Sequence, residues 1–285
     1  MPELVGHDLK PPLRILPDAV QRVACVAAMR RPLLLTPLLL IVSASALAAI
    51  APAAGTPESA KSPNQILHDL AVATRKITSW HMAGYSLDKS GRTTVVGDSN
   101  YAGTVAQGTT TLGKLRLTAK DVDGAEYYKG NTAFWRQAKA STTKAAALAA
   151  QWVKVPVTKY STLGESLSPK SAADCALHGN GTLSKTIETI GGQRLIVLTD
   201  AGDKPGTSPG RVYITASAPL RVLRVTQTGP SRPGGHFVAE CDDTGKDTTK
   251  SADIRISRFD EPIDVTAPTS FLDASKTDGS GSKPL

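Results

Sequence analysis

Aromatic side chains are scarce. They make up 5% of the 285 residues, so a core here must rest on Val, Leu, Ile and Ala. Basic residues outnumber acidic ones, for a formal net charge of +8, but they are spread along the chain. No Arg-rich helix and no basic stripe interleaved with aromatics is present, which argues against a nucleic-acid partner. The excess of lysine reads first as a solvated surface; the second reading is a mild attraction to an anionic membrane surface. Catalytic signatures are missing as well. There is no P-loop and no G-x-G-x-x-G, and Gly164-Glu165-Ser166-Leu167-Ser168 fails the G-x-S-x-G pattern at its last position. His178-Gly179-Asn180-Gly181 has no nucleophile to serve and reads as a turn. His68, His81, His178 and His236 have no H-E-x-x-H company. The pairs Asp121/Asp123 and Asp242/Asp243 sit beside glycines and read as turn residues rather than calcium ligands or acid–base pairs. The expectation is a non-catalytic protein without cofactor or metal.

What is there begins with an export signal. Met29-Arg30-Arg31 precedes an uncharged apolar run from Leu33 to Ile50 that ends in Ala51-Pro52-Ala53-Ala54-Gly55. A short basic region, an apolar stretch and small residues at its end describe a secretory signal, with cleavage after Ala53 as one candidate. The run is also long enough to span a bilayer, so an uncleaved N-terminal anchor is the competing reading. Either one predicts an extracytoplasmic protein, secreted or membrane-anchored. Met29 reads as the start of the signal and residues 1–28 as an N-terminal extension. A lipoprotein cysteine after the apolar run is absent, because Cys25 lies before it. That leaves Cys175 and Cys241 in the exported part, and an oxidising compartment favours a disulfide between them. Free thiols and a zinc site shared with His178 and His236 are the alternatives.

Residues 55–61 read as a tether. Ser62-Pro63-Asn64-Gln65 opens a helix with an N-cap, a proline at the first helical position and a capping box. Ile66, Leu67, Leu70 and Ala71 then recur at helical spacing. A β-rich stretch follows, with Trp80 and Met82 alternating with His81 and Ala83. Thr93–Val96, Ser99–Val105, Thr109–Thr118 and Ala125–Lys129 are expected as strands. Asn131–Ala138 and Thr143–Gln151 read as helices, Trp152–Pro156 as an extended piece, and 159–177 as one or two short helices. The last third returns to strands. Ser184–Ile190 and Arg194–Thr199 flank the hairpin turn Gly191-Gly192. Arg211–Thr215 pairs with Arg221–Thr228, and His236–Glu240 with Asp253–Phe259. Residues 273–285 read as a disordered tail. Successive hairpins imply an antiparallel sheet, and its apolar face needs the helices as cover. The predicted fold is therefore α+β, a curved antiparallel half-barrel over 62–272 with helices on its concave face.

Several phrases carry a family resemblance. They are Tyr127-Tyr128-Lys129-Gly130-Asn131-Thr132-Ala133-Phe134-Trp135, Gln151-Trp152-Val153-Lys154-Val155-Pro156, Ala218-Pro219-Leu220-Arg221-Val222, and Phe259 through Pro268. Together with the order of elements over residues 62–268, they resemble actinobacterial exported proteins and lipoproteins of the LolA/LppX-like class. The resemblance implies a half-open antiparallel barrel whose hollow face is partly filled by helices, and a lipid or an acylated protein as the partner held in that hollow. The candidate lining residues are Leu70, Trp80, Met82, Leu115, Leu117, Phe134, Trp135 and Trp152. A lipid or lipoprotein carrier is thus the leading expectation. The alternative is an envelope sensory or protein-interaction domain on the same scaffold.

Overall fold

The computed structural model describes residues 57–155, 163–177, 181–233 and 249–274. After a short 3₁₀ turn at Glu58–Ala60, the helix α1 runs over Pro63–Thr74. Its capping box forms as expected: Ser62 Oγ accepts from the Gln65 amide at 3.3 Å, and Gln65 Oε1 accepts from the Ser62 amide at 2.9 Å. Ile66, Leu67, Leu70 and Ala71 make its buried face.

Five strands then meander: β1 (Ser79–Asp88), β2 (Gly91–Asn100), β3 (Ala106–Leu112), β4 (Leu115–Val122) and β5 (Ala125–Gly130). Two short helices, α2 (Thr132–Gln137) and α3 (Thr142–Ala149), lead to β6 (Trp152–Val155) beside β5. The helices α4 (Leu163–Ser166) and α5 (Pro169–Ser171) and a π-type turn at Ala172–Ala176 follow. The chain then starts a second meander at the far edge: β7 (Leu183–Ile190), β8 (Gln193–Ala201), β9 (Pro209–Thr215) and β10 (Val222–Gln227). It works back to β11 (Ser251–Ser257), which lies between β10 and β1. The final strand, β12 (Phe271–Asp273), pairs with β6.

Among the described residues the result is one 12-stranded sheet in the order β12-β6-β5-β4-β3-β2-β1-β11-β10-β9-β8-β7. Every ladder is antiparallel except β12–β6. Its two edges, β12 and β7, do not pair with each other, so the sheet is open. It is also curved. A flat sheet would hold β6 and β8 about 43 Å apart at about 4.8 Å per strand. Yet Val153 of β6, Ile196 and Leu198 of β8, and Ile66 and Leu70 of α1 belong to one buried apolar cluster. A helix of about 18 Å joins both halves only if the sheet bends around it. The fold is α+β, with the helices on the concave face.

The strand boundaries differ from expectation in three places. Thr109–Thr118 is two strands, because the chain reverses at Gly113-Lys114 with Gly113 at φ +56°. Conversely, Thr93–Val96 and the start of Ser99–Val105 are a single strand, β2, and the turn falls after Asn100. The parallel strand β12 was not expected at all. The expected His236–Glu240 strand lies outside the described residues.

Candidate ligand-binding interior

Strand parity decides which side chains face the helices. Across the sheet, Leu198, Val212, Val225, Ile254, Gly84, Val95, Thr110 and Leu117 fall in register on the concave face. The neighbouring row brings in Ile196, Ile214, Ile256, Met82, Gly97, Gly108, Ala119, Tyr128 and Val153. Against these rows pack Ile66, Leu67, Leu70 and Ala71 from α1, Phe134 and Trp135 from α2, and Ala145 and Leu148 from α3.

Of the candidate lining residues, Leu70, Trp80, Met82, Leu117, Phe134 and Trp135 meet in this one cluster. Leu115 is half-buried where β4 leaves its turn. Trp152 lies on the opposite face. Its neighbour Val153 points inward opposite Tyr128, so the indole turns outward, with the ammonium groups of Lys120 and Lys129 5.5 and 6.0 Å from its ring. Sequence reading missed much of the second meander's share. The signal was the run Leu195-Ile196-Val197-Leu198, whose lack of alternation marks a strand buried on both faces. Ile196 and Leu198 enter the interior, while Leu195 and Val197 join Tyr213 in a small cluster on the convex side.

The segment 163–171 is moored to the concave face by polar contacts. Trp80, 1% exposed, donates from Nε1 to the Leu167 carbonyl at 2.5 Å. Ser99 Oγ donates to the Gly164 carbonyl at 3.0 Å, and the Gly164 amide donates to Asp121 Oδ2 at 2.6 Å. The fit depends on glycine. A Cβ at Gly97 would stand 2.6 Å from the Gln107 carbonyl oxygen and 2.7 Å from Leu167 Cδ1, so only a bare Cα lets this segment sit so deep.

Polar groups also lie inside. Asp121 and Glu126 face each other across the β4–β5 ladder and are both buried. Glu126 Oε1 accepts from the Tyr128 hydroxyl at 2.7 Å. Burial, then the charge of Glu126, pushes the Tyr128 phenol well above its ordinary range. Three further buried polar atoms, Trp135 Nε1, Thr110 Oγ1 and Thr74 Oγ1, have no hydrogen-bond partner among the described residues. An orphan of this kind costs about 1–3 kcal/mol unless something accepts from it or donates to it.

The remaining sequence candidates are elsewhere. His68 is exposed beside Asp69, near a polar surface depression at the start of α1 that is lined by Lys61, Asn64 and Gln65. His81 bonds Asp98 at 2.8 Å on the convex face. His178, His236, Cys241 and the Cys175 side chain lie outside the described residues, as does the signal or anchor segment at 29–54. Among the described residues no helix is long and apolar enough to cross a membrane.

No protein-family model matches the chain, and no curated protein matches it. Among solved structures, a distantly similar one is known. It is a crystal structure described as an outer membrane lipoprotein-sorting protein domain from Vibrio parahaemolyticus, at 11% identity and a TM-score of 0.23, covering 70% of this chain and 92% of that one.

Proposed function

We propose that this is a non-catalytic carrier outside the cytoplasm, holding the acyl chain of a lipid or lipid-modified protein between the concave face and the helices. The observation that carries this reading is the interior itself: an open, bent sheet whose apolar concave face is covered by short helices, with unpartnered polar atoms buried among the hydrocarbon. The sequence resemblance to LolA/LppX-like proteins points the same way.

Among the described residues the side chains of sheet and helices pack against one another across the interior, so a ligand that takes their place enters by displacing cover. The 163–177 segment is the cheapest cover to move. Its apolar anchors in the cluster are Leu167 and Leu177 with Ala172 at the margin, and two buried leucines contribute about 3–6 kcal/mol. A sixteen-carbon chain taken into the same space gains about 12 kcal/mol at about 0.8 kcal/mol per methylene. That gain is set against the leucine contacts, the mooring hydrogen bonds and the entropy of association. Trp135 Nε1 and the two threonine hydroxyls supply polar contacts for the ester or amide that joins an acyl chain to its headgroup.

The test is titration of the full chain with a fluorescent fatty acid. Wild type is expected to take up the probe, and Ala119→Trp, which fills the interior from β4, to bind at least about tenfold more weakly. Trp135→Phe removes the buried donor with little change of volume and is expected to weaken binding while leaving the thermal melt in place. Equal binding by all three proteins contradicts the reading, as does absence of uptake by a folded wild type.

A further inference from the structure

The convex face near the β12 edge carries a feature that the acyl-binding reading does not use. β4, β5, β6 and β12 are adjacent, and their outward positions bring together Lys120, Lys129, Lys154, Trp152, Tyr127 and Phe271. The aromatics are packed as a group: Tyr127 and Phe271 meet edge to face with centroids 5.1 Å apart, and Phe271 is in register with Trp152. The lysines stand over them. Lys120 and Lys129 lie over Trp152, and the Lys154 ammonium lies 5.9 Å from the Phe271 centroid. Phe271 is 40% exposed and Lys129 exposed, while Trp152, Lys120 and Lys154 are half-buried and Tyr127 is buried. Among the described residues none of the three lysines forms an ion pair; Lys120 Nζ donates to the Thr266 carbonyl at 3.1 Å. Asp273 stands beside Lys154 in the ladder and is the acidic neighbour of the patch there.

We infer that this patch docks the domain on an anionic membrane surface. The chemistry matches such a surface on two counts. Ammonium groups held without carboxylate partners attract anionic headgroups. A Trp ring flanked by lysine stems settles at the depth where headgroups meet hydrocarbon, and the exposed Phe271 adds apolar area beside it. Charge complementarity selects this occupant over a second copy of the chain, whose identical patch would bring lysines against lysines. The placement would also leave the concave interior and its helical cover on the side away from the membrane. The inference stands whether or not the interior takes a ligand.

Tryptophan fluorescence tests it locally, which matters because the apolar segment 33–50 of the full chain can bind vesicles by itself. Trp80 and Trp135 are buried, at 1% and 5% exposed, so Trp152 is the indole that lipid can reach. The full chain is mixed with phosphatidylcholine vesicles, with or without phosphatidylglycerol, that carry brominated acyl chains. Quenching is expected with the anionic vesicles, weak or absent with the neutral ones, reversed by salt, and missing in Trp152→Phe. Lys129→Gln with Lys154→Gln should raise the lipid concentration for half-quenching about 25-fold, at about fivefold per lysine, while Lys129→Arg with Lys154→Arg keeps it within about twofold of wild type. Equal quenching in neutral and anionic vesicles overturns the inference, and so does a double Gln variant that is quenched like wild type.

Discussion

At the scale of single residues, the convex face is held by paired charges as well as by apolar contacts. Arg224 of β10 grips Asp253 of β11 with two parallel hydrogen bonds, Nε to Oδ1 at 2.8 Å and a terminal guanidinium nitrogen to Oδ2 at 2.7 Å. The Arg224 hydrogen bonds hold the Asp253 carboxyl below its usual range, against a smaller opposing effect of burial, and raise Arg224 in return. A carboxyl lowered in the folded state stabilises above its unfolded pKa and ceases to do so as pH falls through its folded value. Both side chains touch solvent, which limits the pair to about 1 kcal/mol. Asp253→Asn should therefore lose about that much stability at pH 7, and the gap to wild type should close at an acid pH below the lowered Asp253 value. Urea unfolding at both pH values checks this. A gap of the same size at both would show that the charge is not the cause.

At the scale of elements, legibility followed the number of local constraints. α1 was readable because Ser62, Pro63 and Gln65 each specify a helix start independently. The β7–β8 hairpin was readable because Gly191 and Gly192 both adopt positive φ, at +58° and +79°, as a two-residue turn of this kind demands. Gly113-Lys114 was hidden between threonines and leucines that favour strand on either side, so β3 and β4 read as one. β12 has three residues, too few to show any period, and it exists because β6 offers an edge. The outward turn of Trp152 has the same origin: in a four-residue strand a one-residue slip reverses every side chain, and only the pairing of Val153 with Tyr128 fixes the choice. The deep seat of the 163–171 segment was equally invisible, since it rests on Gly97 of β2, far away in sequence and set among residues that read as ordinary strand. Gly97→Ala should destabilise the fold by about 1–3 kcal/mol and speed amide exchange in 163–171 before any other segment. Denaturant melts and hydrogen exchange measure both, and an unchanged pattern would show that this close approach does not hold the segment.

At the scale of the whole molecule, the two meanders divide the work. One supplies β1 to β6 and the other β7 to β11, and the β1–β11 ladder makes them one surface. The helices that interrupt them become the cover. Twelve strands in an open sheet can bend around such cover because the two edges are free to move relative to each other, whereas a closed barrel would fix the interior volume. On the proposed reading, that openness is what lets a guest take the place of the chain's own side chains in the interior. The most direct measurement is photocrosslinking of the full chain with a diazirine-bearing fatty acid, with the modified peptides identified by mass spectrometry. Crosslinks should map to concave positions around Met82, Leu117, Ala119 and Trp135, and excess unlabelled fatty acid should abolish them. Crosslinks confined to residues 33–50 or to the convex face, with the interior unlabelled, would contradict the account.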